Sequence, residues 1–235
     1  SFIGAFVHHW SNPLEQGIGY LEKSTQEGAR IGELIYSGYA IISIIYTKYV
    51  CGISLREITH YVNSLEKGLH MKGYDVVKFI DYVFNPHVDY LENGKVTKKD
   101  GQIKEEAALL NNTKGLAYNA FMIQRLFMEC KIQEAYELVK KITPTIRSLR
   151  GHIIYVDLIF YSTLIRLAEH DKLLGNEKKE NKRLAKEYLK ELSYWVNIYK
   201  ENHYARYLLA KVEYTKLFDN NKFVDKLYNE AISYA

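Results

Sequence analysis

The sequence predicts an all-α fold, an α-solenoid of antiparallel helix pairs, and three observations predict it. Apolar residues recur at three- and four-residue spacing in segment after segment, the period of one helix face. Only 3 prolines and 14 glycines punctuate 235 residues, too few for a sandwich or barrel that turns about every ten residues. The breaks between periodic segments are short, and helices joined by short turns fold back on their neighbours.

The first residues, Phe2 to His9, read as the last turns of a helix stopped by Trp10-Ser11-Asn12-Pro13. Asn12 is placed to cap the next helix, with Pro13 at its first position, where a missing amide proton costs nothing. That helix runs to about Gly28 on the apolar face of Leu14, Ile18 and Leu21, and a break follows at Gly32. Glu33 to Val50 is apolar over most of its circumference, which predicts a central helix covered on both sides. Gly52 ends it, and Ser54 with Glu57 three residues on forms a capping-box pattern. Leu55 to Lys72 repeats Ile58, Tyr61, Val62, Leu65 and Leu69 before Gly73. Tyr74 to Glu92 is helical in period, with a bend expected at Asn85-Pro86, because proline disfavours helix in the residue before it.

Residues 93–101, Asn-Gly-Lys-Val-Thr-Lys-Lys-Asp-Gly, carry two turn signals and read as a mobile loop. A short helical piece, Ile103 to Leu110, comes next. Long helices then return at Lys114–Glu129, Ile132–Leu149, Ile153–His170, Lys179–Tyr199, His203–Phe218 and Lys222–Tyr234. Their breaks fall at Cys130-Lys131, Arg150-Gly151, Leu174-Gly175-Asn176, Glu201-Asn202 and Asp219-Asn220.

Composition bounds the class of function. Hydrophobic residues make up 47% and charged residues 26%, values of a globular chain rather than a disordered one. The length suits one continuous unit or two abutting ones; the repeating pattern favours a single helical-repeat domain over 1–235. The missing initiator Met, with helical pattern from the first residue, reads as a fragment of a longer multidomain protein. Cys51 and Cys130 stand far apart, outside any metal or redox spacing, which suits a reducing, cytoplasmic setting. The longest apolar stretch, Gly38 to Tyr46, is too short to span a bilayer. The net charge of +4 is mildly basic. Its lysines, in Lys95 to Lys104 and Lys178 to Lys186, alternate in the second run with Glu177, Glu180 and Glu187, a solvated helix face rather than a phosphate track.

Candidate chemistry is sparse. Gly94-Lys95-Val96-Thr97 lacks the upstream glycine of a phosphate loop. The eight histidines offer the adjacent pair His8-His9, whose side chains diverge by about 100° on a helix, and isolated residues such as His60, His70 and His170. His170-Asp171-Lys172 carries the better phosphotransfer context, yet a cationic His at a helix end is explained by the macrodipole. Glu105-Glu106 and Glu187 with Glu191 read as exposed helix charges, Glu187 supporting the helix through Lys190. No catalytic residue, metal ligand or cofactor site is expected. Among the 21 tyrosines, the run Tyr188, Tyr194, Trp195, Tyr199, Tyr204 and Tyr207 is the one candidate partner-binding surface. Spacing alone favours a core stripe over a groove.

Three segments align around a second helix: Ala117–Ile142, Tyr207–Ala235 and Tyr39–Leu65, with Ala135, Ala231 and Ile58 where two helices of a hairpin touch. Further positions carry a resemblance: His9-Trp10-Ser11-Asn12-Pro13-Leu14, Gly52-Ile53-Ser54-Leu55-Arg56-Glu57, Phe160-Tyr161-Ser162-Thr163-Leu164, Trp195, Asn202-His203-Tyr204-Ala205, Ala210, Glu213, Tyr228-Asn229-Glu230-Ala231-Ile232 and Ala235. In order and spacing they resemble the tetratricopeptide-like helical region of large bacterial multi-sensor signal transduction kinases. There a Ser/Thr-kinase-like domain and an AAA/STAND-type ATPase precede the helices, and GAF or PAS sensors with a histidine kinase or cyclase output follow. The full Trp, Leu-Gly and Pro repeat signature is absent, and none of the family's catalytic residues falls within the chain. The resemblance implies a non-catalytic interaction or transmission segment, a right-handed superhelix whose groove takes a protein, a peptide or a neighbouring domain. A stand-alone peptide-binding regulator and a nucleic-acid-binding helical domain are the alternatives.

Overall fold

The computed structural model describes residues 3–68, 75–94, 113–219 and 224–234. Every element among them is helical and none is a strand. By its internal contacts the chain divides into two compact units, Ser1–Phe121 with Gly151–Ile153, and Met122–Arg150 with Ile154–Ala235.

The first unit opens with a π turn, Ile3–Val7, and a 3-10 turn, His8–Trp10, followed by α1 (Leu14–Ile31), α2 (Leu34–Val50) and α3 (Leu55–Gly68). Pro13 itself takes the position before α1. Asn12, expected there as a cap, turns its amide back to donate to His8 O at 3.2 Å and closes the preceding turn. Glu33 caps α2, its carboxylate accepting the amides of Ile35 and Tyr36 at 3.1 and 3.3 Å. The α1–α2 hairpin closes at Gly28, where a Cβ would stand 2.1 Å from Ser37 Oγ. The helices approach too closely there for any larger residue. α2 is buried without interruption from Ala40 to Thr47. Each of Ile41, Ile44 and Ile45 gains about 1.5–3 kcal/mol relative to exposure. The first part of the predicted capping box forms as Glu57 N–H donates to Ser54 Oγ at 3.3 Å.

Three helices of the chain end in the same way. An amide two or three residues past the last helical residue bonds back across six residues, Glu33 to Gly28 O, Ile53 to Lys48 O and Lys131 to Leu126 O. The residue in between adopts the left-handed conformation this motif requires. Gly32 and Gly52 do so freely; Cys130 does so at φ +58, as the one described non-glycine residue with positive φ.

Beyond residues 69–74 the chain continues as α4 (Asp75–Phe79), a π turn (Ile80–Phe84) and α5 (Asn85–Asn93). The bend expected at Asn85-Pro86 is instead absorbed upstream. Asn85 stays helical at φ −58, ψ −45, and its amide reaches Ile80 O across the wider π turn. Proline has no amide for the carbonyl four residues before it, and widening the previous turn moves that carbonyl clear of the ring. Gly94 caps α5 at φ +62. The rest of the expected loop, with Ile103–Leu110, lies outside the described residues.

α6 (Thr113–Met128) carries the chain into the second unit, which holds α7 (Ile132–Ile142), most of α8 (Ile153–Glu169), α9 (Gly175–Ile198), α10 (Lys200–Phe218) and α11 (Val224–Ser233). The helix expected to run from Ile132 to Leu149 breaks at Ile142. Pro144 follows, Thr143 Oγ1 bonds back to Val139 O at 2.6 Å, and the chain resumes as a 3-10 turn, Ile146–Leu149. α10 starts three residues before the expected His203, because Tyr199 alone, at φ −148, makes the turn.

Side-chain pairs fix helix directions in this unit. Tyr155 on α8 meets Glu191 on α9 while Arg166 meets Asn181, so the two helices run antiparallel. Asp157 meets Arg206 while His170 meets Phe218, so α8 and α10 run parallel. Lys140 of α7 meets Glu177 at the start of α9, and Arg150, after the 3-10 turn, meets Glu191 further along it. Tyr204 with Glu230 and Tyr228 with Glu213 set α11 antiparallel to α10. Each helix from α8 to α11 therefore opposes its successor. Ala135 of α7 and Ala231 of α11 are buried.

Candidate functional site

The six aromatic residues singled out in the sequence do not share a surface. Tyr188 and Trp195, 2% and 6% exposed, lie on the inner face of α9. Trp195 packs edge-on against Tyr155 of α8, with ring centroids 5.6 Å apart. Both fill the core and offer nothing to a partner. Tyr194, 63% exposed, points the opposite way, as the helical period dictates for the residue before Trp195. Tyr204 is engaged locally. Its hydroxyl donates to Glu230 at 2.7 Å, its ring stands 4.6 Å from that of Tyr234, and Lys200 Nζ lies 4.3 Å from its centroid. Tyr207 is its tilted neighbour at 6.4 Å, and Tyr199, half-buried, makes the α9–α10 turn.

What the second unit does present is a groove of about 480 Å³ between the parallel helices α8 and α10, closed at one side by Phe127 of α6. Its walls are ridges at helical spacing, Leu164, Leu167 and Ala168 from α8, and Leu209 and Leu217 from α10. Asp171, Glu213 and Lys216 form the polar rim. The Glu213 carboxylate is held by a short hydrogen bond from the Tyr228 hydroxyl of α11. Burial pushes the Tyr228 phenol up to about 12, and the Glu213 carboxylate adds to the effect. Nothing in the sequence distinguishes these leucines from core leucines, since both recur at three and four. Only the packing leaves a channel between one helix and the next but one.

The first unit carries a larger polar cleft of about 1370 Å³ between α3 and the stretch from Asp81 to Glu92. Arg56, His60, Asn63, Asp89 and Glu92 line it, with His60 exposed. His70 lies outside the described residues. His170 is buried in the 3-10 turn after α8. Its Nδ1 lies 3.3 Å from Asn181 Nδ2, and its ring stands edge-on to Phe218. Burial first, then the positive charge of Lys178, holds it below the usual histidine range. It therefore resists the charge that a macrodipole role would need, and packing explains it instead.

Glu187 and Glu191, read as loose helix charges, are cross-links, while Glu105 and Glu106 lie outside the described residues. Glu187 pairs with Arg147 and Arg183 rather than with Lys190. Glu191 accepts from Arg150 at 3.1 Å and Tyr155 at 2.6 Å. The basic run on α9 is likewise engaged: Lys178 pairs with Asp171, Arg183 with Glu180, and Lys182 lies over Phe218. Among the described residues, no group of three or more His, Cys, Asp or Glu converges to hold a metal ion, and no helix is long and apolar enough to cross a membrane. Compared with family models, curated proteins and solved structures, the chain matches none. Its fold and groove define a class, a helical chain with an apolar channel between parallel helices.

Proposed function

We propose that the chain is a non-catalytic, tetratricopeptide-like interaction module that binds an amphipathic helix of a partner protein, or of a neighbouring domain, in the groove between α8 and α10. The reading rests on the apolar channel walled by Leu164, Leu167, Leu209 and Leu217. A channel along two parallel helix axes suits a linear occupant presenting anchors at one face. Asp171 and Glu213 on the rim favour a basic residue beside those anchors. The alternation of helix directions from α8 to α11 supports a solenoid, in which each hairpin covers the apolar flank of the next.

The sequence positions that resemble multi-sensor kinases supply the setting. Between an ATPase and output domains, a partner that prefers one curvature of the array would bias the orientation of whatever is attached. A stand-alone peptide-binding regulator would use the same groove. The coding sequence on either side separates the two, because kinase or ATPase motifs flanking the segment belong to the first. The nucleic-acid reading has less support, since Lys178 and Arg183 of α9 are paired with carboxylates of their own unit.

Fluorescence anisotropy with a panel of leucine-rich, basic-flanked amphipathic peptides tests the proposal. Saturable binding is expected, at least tenfold weaker in Leu209→Glu and unchanged in Tyr194→Glu. Absence of saturable binding across the panel, or equal binding by both variants, refutes it.

A further inference from the structure

At one end of the groove between α8 and α10, its lining residues Asp171 and Leu217 adjoin a ring contact between the two helices. The ring of His170, next to Asp171, stands edge-on to that of Phe218, next to Leu217, with centroids 4.8 Å apart. Asn181 of α9, 1% exposed, meets the same imidazole. Arg166 Nη1 donates to Asn181 Oδ1 at 3.3 Å, and Asn181 Nδ2 donates to Arg166 O at 2.7 Å. A guanidinium only donates and a carbonyl only accepts, so these two partners fix which way the amide points. Its NH2 group is therefore what faces His170 Nδ1, at 3.3 Å. That nitrogen must be bare to accept the bond, which makes His170 the neutral tautomer with its proton on Nε2. Protonating the ring would set a second donor against the Asn181 amide.

We infer that a helix seated in this groove and a proton on His170 oppose one another, so that acid weakens the module's hold on its partner; the inference rests on the groove being the binding site. Two features couple them. A protonated ring cannot keep its place against both Asn181 and Phe218, and Leu167, Asp171 and Leu217 of the groove wall flank that place. The second feature is electrostatic. Asp171 favours a charge on His170, whereas Lys178 and Lys182 of α9 oppose it. Asp171 is 78% exposed on the groove rim and reaches Lys178 at 3.7 Å. A basic flank of the occupant that pairs with Asp171 offsets the carboxylate that would support an imidazolium. The other groups packed here do not replace it. Glu169 is bound to Lys172 at 2.9 Å, Arg166 adds a further positive charge on Asn181, and α10 contributes the Phe218 ring with that of Tyr214 against it.

Burial, then Lys178, already holds the ring of the unoccupied groove below the ordinary histidine value of about 6.5. The occupant lowers it further. Because the bound form is the neutral one, affinity is full above the value of the unoccupied groove and is lost as pH falls from there to the lower value of the occupied one. The two effects are reciprocal: a midpoint lowered by about half a unit answers to a partner held about threefold less tightly in acid.

Ring-nitrogen NMR of the whole chain, titrated with and without the leucine-rich, basic-flanked peptide that binds most tightly by anisotropy, reads the tautomer and the midpoint of His170 together. At about pH 7.5 Nδ1 is expected to be the bare nitrogen, and saturating peptide is expected to move the midpoint down by about half a unit or more, with affinity at least about threefold weaker near pH 5. His170→Asn keeps an acceptor near the Nδ1 position and cannot ionise, so it should bind equally at both pH values. If that variant no longer binds at pH 7.5, the wild-type midpoint with and without peptide decides. A proton on Nδ1 at pH 7.5, a midpoint that the peptide leaves unmoved, or an acid loss retained by His170→Asn overturns the inference while the groove stands. Absence of saturable binding at pH 7.5 by every peptide fells the groove reading and this inference with it.

Discussion

Arg166 offers the sharpest test of how the second unit is held. It is 2% exposed, and among the described residues no carboxylate pairs with it. Burying an isolated guanidinium costs several kcal/mol even after relaxation. Its Nη2 donates to Thr143 Oγ1 at 2.8 Å and its Nη1 to Asn181 Oδ1 at 3.3 Å. The guanidinium carbon lies 5.9 Å from the Tyr136 ring and 5.8 Å from the Tyr188 ring. Thr143 is the C-cap of α7, so the charge also sits at the negative end of that helix. Two hydrogen bonds from a charged donor contribute about 1.5–3 kcal/mol each. Two cation–π contacts add about 1 kcal/mol apiece. Against the desolvation cost the net stabilisation is roughly 3 kcal/mol, less what Arg166→Met recovers by keeping the packing.

Urea unfolding followed by circular dichroism measures this directly. Arg166→Ala is expected to lose about 3 kcal/mol, and Arg166→Lys about 2, because an ammonium cannot bridge Thr143 and Asn181 while stacking on both rings. Arg166→Met is expected to lose about 1 or less, as buried charges replaced by apolar residues of similar volume often do. A loss under 1 kcal/mol in Arg166→Ala, or an Arg166→Lys variant as stable as the parent, would refute the reasoning.

Two further expectations follow from local geometry. Cys130→Gly should raise stability by about 1 kcal/mol in the same unfolding assay, since the left-handed φ of +58 costs a side-chain-bearing residue about that much. A decrease would show that the thiol contributes more than its backbone strain removes. Alkali should loosen the α10–α11 hairpin. The hydrogen bond to Glu230, then burial, pushes Tyr204 up to about 12, while the unfolded phenol ionises near 10. A raised phenol favours the fold below pH 10, and that contribution is lost as pH climbs from about 10 to about 12. Absorbance of ionised tyrosine should therefore show Tyr204→Phe missing a late-titrating phenol. An unchanged late phase sinks the assignment.

The sequence by itself determined the helices and most of their ends. Period three-and-four apolar runs can bury one flank only as helices, and Gly32 and Gly52 mark turns because left-handed backbone excludes most other residues. Ser54 announced its cap for the same local reason. Ile142 as a helix end was legible in Pro144, whose ring cannot follow a helical turn, but the apolar period across it conceals the break. Tertiary structure decided the rest. Tyr188 and Trp195 are core and Tyr194 is surface because α9 turns one flank to α8, a choice that spacing leaves open. Buried Leu164 and Leu167 and half-buried Leu209 and Leu217 wall a groove because α8 and α10 run parallel with a channel between them. Local sequence sets the backbone of each element, whereas which apolar flank is covered depends on residues dozens of positions away, as Tyr155 is from Trp195.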